Sequence, residues 1–141
     1  LWDLASLTKV VGTTSAVLQL VGEGRVDLDA PAQRYLPEWT GPGRERVTVR
    51  HLLTHSSGLP SWRPLYKEAT SPESALALVL ATAPDTLPGV RYVYSDLNFI
   101  LLGTVAARVT GRPLDAYLAE RAFAPLGMAA TRFRHPASDR P

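Results

Sequence analysis

The sequence predicts a mainly α-helical domain, on three observations. Apolar residues recur at helical spacing in several long stretches. Proline and glycine stand where those stretches begin and end, and the extended pieces between them are too short to form a stable sheet by themselves. The first helix is expected over 6–21, with Leu7, Val10, Val11, Thr14, Val17, Leu18 and Val21 on one stripe and Gly22 and Gly24 ending it. Val26 and Leu28 alternate with charged neighbours as a short extended piece, and Asp29 then caps a brief helical turn over 30–35. Residues 36–46, with two prolines and two glycines, read as loop. Thr48 caps a short helix over 49–56 that stops at Gly58, with Pro60 just beyond, and loop continues to Thr70. Ser71, Pro72 and Glu73 open a helix over 73–83 that ends before Pro84. After the Pro88-Gly89 turn, residues 90–94 alternate as a short strand or extended segment. A fourth helix is expected over 96–109, burying Leu97, Ile100, Leu101, Val105 and Ala106 or Val109, with Gly111 as its stop. Pro113 opens a fifth over 114–123, with Leu114, Tyr117, Leu118 and Ala122 inward, closed by Pro125 and Gly127; residues 129–141 read as polar loop.

Composition narrows the function classes. A chain of 141 residues makes one globular domain or less, and 45% hydrophobic with 20% charged residues excludes disorder as the default. The absence of cysteine excludes a disulfide framework, a thiolate zinc site and a cysteine nucleophile. The net charge of +2 comes from arginines interleaved with acids. Even the densest stretch, 44–50, has three Arg and one Glu around Val47 and Val49, a solvated face and not a nucleic-acid stripe. The longest apolar runs, such as 75–81, fall far short of the roughly 20 residues that span a bilayer. No glycine-rich phosphate loop occurs, so nucleotide cofactors are not implied. Leu1 stands where Met would start a reading frame, and residues 1–9 have neither the basic nor the long apolar region of a signal peptide; the chain is expected to be a piece of a longer one.

Three groups of residues carry chemistry. Ser6-Leu7-Thr8-Lys9 is an S-x-x-K element at a helix start, where positions i and i+3 share a face and Lys9 reaches the Ser6 hydroxyl. A lysine whose pKa burial lowers takes the proton of a serine, and the backbone N–H groups of a helix start stabilise the negative oxygen. The alternative is a helix cap followed by a surface lysine. Tyr94-Ser95-Asp96 lies where an extended segment meets a helix, and a tyrosine with a depressed pKa beside Lys9 serves as acid or base in acyl transfer; the bland reading is a half-buried aromatic with Ser95 or Asp96 as cap. His51 and His55 have the i, i+4 spacing of zinc ligands but no glutamate between them and no evident third ligand. They read as structural histidines, and no metal site is assigned. A Ser-His-Asp triad built on either histidine with Asp96 or Asp27 lacks a G-x-S-x-G elbow. Trp2, Trp39 and Trp62 read as core or cleft wall.

In order, S-L-T-K (6–9), H-L-L-T-H-S-S-G-L (51–59), Y-S-D-L-N-F-I-L-L-G (94–103) and P-L-G-M (125–128) resemble the serine beta-lactamase-related, penicillin-binding-protein-like superfamily. Within it the match is to the branch of class C beta-lactamases, D-alanyl-D-alanine carboxypeptidases, D-aminopeptidases and family VIII esterases, and it covers nearly the whole chain. The resemblance implies a partial domain of an α+β fold: 1–24 as nucleophile helix and 25–141 as helical subdomain, with the central antiparallel sheet mostly missing and its regions flanking both ends. It implies Ser6 as nucleophile, Lys9 as the lysine that helps activate it, Tyr94 as proton shuttle, and Asp96 as the substrate-binding position where the Y-x-N motif usually has Asn. A carboxylate cannot donate the hydrogen bonds of that amide, but it can pair with Lys9 and keep it charged. The third motif, K-T-G or H-x-G, is absent.

The implied function is a serine hydrolase acting through an acyl-enzyme on amide, beta-lactam or ester bonds, with a small-molecule or peptide acyl substrate, no cofactor and, from many relatives, a periplasmic or extracellular location. Trp62 and Tyr66, in the loop over 61–70, are the expected pocket-wall residues. The alternative is a catalytically retired binding or sensor module with the same fold; a stand-alone helical interaction domain is the third reading. The isolated 141 residues are expected to be poor catalysts, since losing one oxyanion donor costs about a hundredfold or more in rate.

Overall fold

A computed structural model describes residues 2–133, and the expected loop over 134–141 lies outside the described residues. The chain is mainly helical. A π-helical stretch, Lys9–Thr14, leads directly into α1 (Ser15–Gly22). Then come α2 (Val49–Leu53), α3 (Leu65–Glu68), α4 (Pro72–Ala81), α5 (Asp96–Thr110) and α6 (Leu114–Leu118), the last running on as a π-helical stretch, Ala119–Phe123. Two 3-10 turns, Ala32–Arg34 and Arg44–Arg46, lie between α1 and α2. The β pairing found among the described residues is one isolated antiparallel bridge, Pro31 with Thr48, so the expected near-absence of sheet holds there.

The longest helix, α5, is the axis of the core. Ser95 precedes it in extended backbone, and Gly111 ends it at φ +70, donating its N–H to the Ala107 and Arg108 carbonyls. Leu97, Leu101, Leu102, Val105 and Ala106 point inward from it. They pack against Ala16, Val17 and Leu20 of α1, Val49 and Leu52 of α2, Val79 of α4, and Tyr117, Leu118, Ala122 and Phe123. Leu36, Trp39 and Val47 complete this core from the segment between α1 and α2.

Two starts follow the sequence closely. Thr48 Oγ1 accepts the His51 N–H at 3.2 Å while His51 Nδ1 accepts the Thr48 N–H at 3.2 Å, a capping box in which a histidine replaces the usual acid. Ser71 Oγ accepts the Ser74 N–H and Ser74 Oγ accepts the Ser71 N–H, with Pro72 opening the helix.

Elsewhere the structure corrects the expectations. The first helix buries Gly12, Thr13, Ala16, Val17 and Leu20, whereas Leu7, Val10 and Leu18 are exposed. The π-helical stretch is the reason: its wider turn delays the phase, so a stripe drawn at 3.6 residues per turn does not stay on one face. No strand forms at Val26 or over 90–94. Asp29 does not cap; its carboxylate takes both the Nε and an Nη hydrogen of Arg50, and the following turn is only Ala32–Arg34. The segment expected as plain loop over 36–46 buries Leu36 and Trp39 completely. The second helix stops at Leu53 because His55 sits at φ +56, which no helix accommodates. The loop before Thr70 contains α3.

Candidate active site

Ser6 sits one residue after a strained turn. Ala5 has φ +43, held by its N–H donating to Asp3 Oδ1 at 2.8 Å, and the chain then enters the helix with the Lys9 N–H donating to the Ser6 carbonyl. A left-handed non-glycine residue is costly, and such outliers collect at functional sites. One turn on, Lys9 Nζ donates to Ser6 Oγ at 3.2 Å, the i, i+3 reach expected from the sequence.

The other half of the site comes from the start of α5. Lys9 Nζ lies 2.7 Å from Asp96 Oδ1 and 5.0 Å from the centre of the Tyr94 ring. Ser6, Lys9, Asp96 and Tyr94 are therefore brought together from positions almost ninety residues apart. The Lys9 side chain is mostly buried, that of Asp96 half-exposed. Ala5, Ser6, Thr8, Lys9, Thr13, Asp96, Phe99 and Ile100 line a cleft of about 330 Å³. Trp62 and Tyr66 are exposed and do not line it, and Trp2 is exposed as well, whereas Trp39 belongs to the core. A smaller hollow, about 160 Å³, is walled by Glu23, Arg25, Thr110, Arg112, Tyr117 and Arg121 and holds none of the candidate site residues.

The electrostatics correct one expectation. Burial does push the Lys9 ammonium toward deprotonation, but hydrogen bonds to Asp96 and Tyr94, together with the charges of both, outweigh it, and its pKa rises above the ordinary 10.5. These partners hold Lys9 in its charged form. Tyr94 moves the other way: hydrogen bonds from Ser6 and Lys9, and the charge of Lys9, hold its phenol below the ordinary 10.0 against the opposing charge of Asp96.

The sequence reading missed what holds Tyr94 and Asp96 in place. Residues 93–96 are pinned to the loop after α2 by four hydrogen bonds. The Val93 N–H donates to the His55 carbonyl at 2.8 Å and the Ser95 N–H to His55 Nδ1 at 3.0 Å. Ser95 Oγ donates to the Pro60 carbonyl at 2.7 Å and the Asp96 N–H to the Ser61 carbonyl at 2.8 Å. Buried Asn98 ties in below, its Oδ1 accepting the Ser57 hydroxyl at 2.6 Å. The usable signal was the polar run His55-Ser56-Ser57 ahead of Gly58, which a purely solvated loop does not require. His51 is occupied in capping α2 and His55 in this loop contact, and no cluster of metal-ligating side chains occurs among the described residues.

Comparison with known proteins shows the family. A family model described as Beta-lactamase matches residues 1–141. A curated protein of Escherichia coli (strain K12) named "Putative D-alanyl-D-alanine carboxypeptidase" is 33% identical over 147 residues, covering 94% of this chain and 34% of its own length. Among solved structures, a D-stereospecific amidohydrolase from Streptomyces sp. is 36% identical with a TM-score of 0.73, over 86% of this chain and 41% of that one. A class C beta-lactamase is 28% identical with a TM-score of 0.78, over 94% and 36%. The chain thus spans about a third of the length of the curated relatives it matches.

Proposed function

The chain belongs to the beta-lactamase family, and from that premise we propose that it carries the nucleophile and proton-transfer groups of a serine hydrolase acting through an acyl-enzyme on amide, beta-lactam or ester bonds. The observation that carries the reading is that Ser6 Oγ, Lys9 Nζ and Asp96 meet on one cleft, with the Tyr94 ring 5.0 Å from Lys9 Nζ and its phenol in hydrogen-bond contact with Ser6 and Lys9. Tyr94, as phenolate, takes the Ser6 proton while Oγ bonds to the substrate carbonyl carbon and the carbonyl electron pair moves onto oxygen. Collapse of that intermediate breaks the bond to the amine or alkoxide, which leaves with the proton from Tyr94. Water then adds by the same route in reverse and frees Ser6. Lys9 keeps its proton throughout and holds the phenol pKa down.

Asp96 is the substrate-side contact. A carboxylate only accepts hydrogen bonds, so the favoured substrate presents an N–H donor at this point. Residues 1–24 act as nucleophile helix and 25–141 as helical subdomain, and the exposed Leu7, Val10 and Leu18 support the reading that a further layer, the family's sheet, packs here.

The test is intact-mass analysis of the protein expressed from its complete reading frame, after exposure in parallel to a penicillin-type lactam and an activated short-chain ester. The expected result is an acyl adduct on the peptide containing Ser6, absent in Ser6→Ala and cleared with time. A folded protein that gains no adduct from either reagent refutes the hydrolase reading and leaves the retired binding module.

A further inference from the structure

We propose that His55 is the positioning residue of this site: its neutral imidazole, accepting hydrogen bonds at Nδ1 and lying against the Tyr94 ring, fixes where the phenol stands relative to Ser6 and Lys9. The inference rests on the reading that Tyr94 exchanges the Ser6 proton.

Proton bookkeeping fixes the tautomer. The Leu59 N–H donates to Ser57 Oγ at 3.1 Å, which leaves the Ser57 hydroxyl hydrogen to donate to Asn98 Oδ1 at 2.6 Å. The Asn98 amide is thereby oriented with Nδ2 toward His55 Nδ1, at 3.4 Å, and the Ser95 N–H reaches the same Nδ1 at 3.0 Å. Two donors converge on one ring nitrogen, so that nitrogen carries a lone pair and the imidazole proton is on Nε2. The ring is buried, lies tilted against Tyr94 at 4.4 Å and Phe99 at 5.1 Å, and meets Tyr92 edge-on at 6.0 Å between centroids. Its own backbone sits at φ +56, a strained state that the surrounding contacts hold in place.

The charges around it favour the neutral form. Burial disfavours the imidazolium first, and the Lys9 ammonium adds to this, against the opposing Asp96 carboxylate, so the His55 pKa lies below the ordinary 6.5. The other titratable groups against the ring are the Tyr92 and Tyr94 phenols. As pH falls through that lowered pKa, Nδ1 gains a proton that faces the Ser95 and Asn98 donors, and the seat of Tyr94 is lost.

Three variants in the complete protein test this. His55→Asn keeps an acceptor at the same reach and tolerates positive φ, but does not titrate; His55→Ala keeps neither acceptor nor ring; Tyr94→Phe identifies the phenol signal. The readouts are the Tyr94 phenol titration by 13Cζ-tyrosine NMR, and kcat and KM against pH on the ester or lactam that acylates Ser6. In His55→Ala the Tyr94 titration moves up toward 10.0, and kcat falls by about ten- to a hundredfold with KM changed far less, as for a displaced catalytic group. In His55→Asn both recover at neutral pH, and the added steepness of the kcat profile below 6.5 disappears, leaving the slope of Tyr94 protonation alone. A folded His55→Ala with the parental Tyr94 titration, or a His55→Asn that retains that added steepness, overturns the proposal. If His55→Ala does not fold, the slope in His55→Asn decides alone. A Tyr94→Phe variant with parental activity, or a parent whose Tyr94 titrates at its ordinary value, fails the underlying reading instead.

Discussion

Gly58→Ala is the substitution whose cost the structure sets most directly. Gly58 has φ +85, and a Cβ built on it stands 2.1 Å from the Thr86 carbonyl oxygen and 3.0 Å from the Thr86 carbonyl carbon. Those are backbone atoms, held in register because the neighbouring Asp85 N–H donates to the Gly58 carbonyl at 2.8 Å, so no side chain can swing away to make room. Gly43 supplies the comparison: its φ is +83, yet nothing lies within 4 Å of its built Cβ. The left-handed backbone costs an alanine about 1–2 kcal/mol at either position. Forcing the extra methyl into the packed site at Gly58 adds about 1–3 kcal/mol. Urea unfolding of both variants in the complete protein should therefore show Gly58→Ala destabilised by about 2–5 kcal/mol and Gly43→Ala by about 1–2 kcal/mol. Because Gly58 lies between His55 and Pro60, Gly58→Ala should also slow acylation of Ser6 under conditions where it is folded, and Gly43→Ala should not. Equal destabilisation of the two variants would refute the steric argument, and equal acylation rates would refute the link from this loop to Tyr94.

Four further outcomes are expected. Thr48→Ala orphans the His51 N–H at the start of α2 and should destabilise by about 1 kcal/mol in the same urea experiment. Tyr94→Phe removes the proposed proton carrier and should slow acylation by about 10²–10⁴, with the far-ultraviolet circular dichroism unchanged. The Asp96→Asn variant removes the largest upward influence on the Lys9 pKa, so the neutral fraction of Lys9 rises and its labelling by acetic anhydride at pH 8, followed by mass spectrometry, should be faster than in the parent. The His55 pKa is lower folded than unfolded, so the unfolded chain takes up the proton first as pH falls. Stability should be full above 6.5 and decline between there and 4.5, before the Glu38 carboxylate begins to lose its Arg108 partner, and His55→Asn should flatten that slope in thermal melts.

Local chemistry made much of this legible in the sequence. The capping side chains Thr48 and Ser71, the stop at Gly111 and the buried Leu97, Leu101, Val105 and Ala106 of α5 follow from neighbours within a few residues, and so does the 3.2 Å contact between Ser6 and Lys9. What was hidden is set by distant parts of the chain. The π-helical stretch after Ser6 breaks the apolar stripe, and its Gly12 lies so near Leu118, more than a hundred residues away, that a Cβ there would stand 3.4 Å from the Leu118 side chain, a neighbourhood no local pattern announces. The seat of Tyr94 depends on carbonyls at Pro60 and Ser61 and on a ring nitrogen of His55, none of which has a periodic signature. The family resemblance makes Trp62 and Tyr66 candidate cleft-wall residues, but a resemblance at the level of a loop does not say which way a side chain faces, and both are exposed away from the cleft.

The charge balance at the centre of the site explains how a carboxylate at position 96 is compatible with the proposed acyl transfer. Lys9 and Asp96 form a closely spaced pair, so together they present little net charge to Tyr94. The phenol is depressed first by the hydrogen bonds it receives from Ser6 and Lys9, while the charge of Asp96 opposes the charge of Lys9. An amide at position 96 removes that opposition, and the Tyr94 pKa drops further. A lower pKa places more of the tyrosine in the phenolate form at a given pH, but each phenolate is then a weaker base toward the Ser6 hydroxyl. On the proposed mechanism Asp96 sets this balance toward a scarcer, stronger base, and its pairing favours the charged form of Lys9. The rate of Ser6 acylation in this protein should therefore keep rising to higher pH than in Asp96→Asn, whose plateau begins earlier.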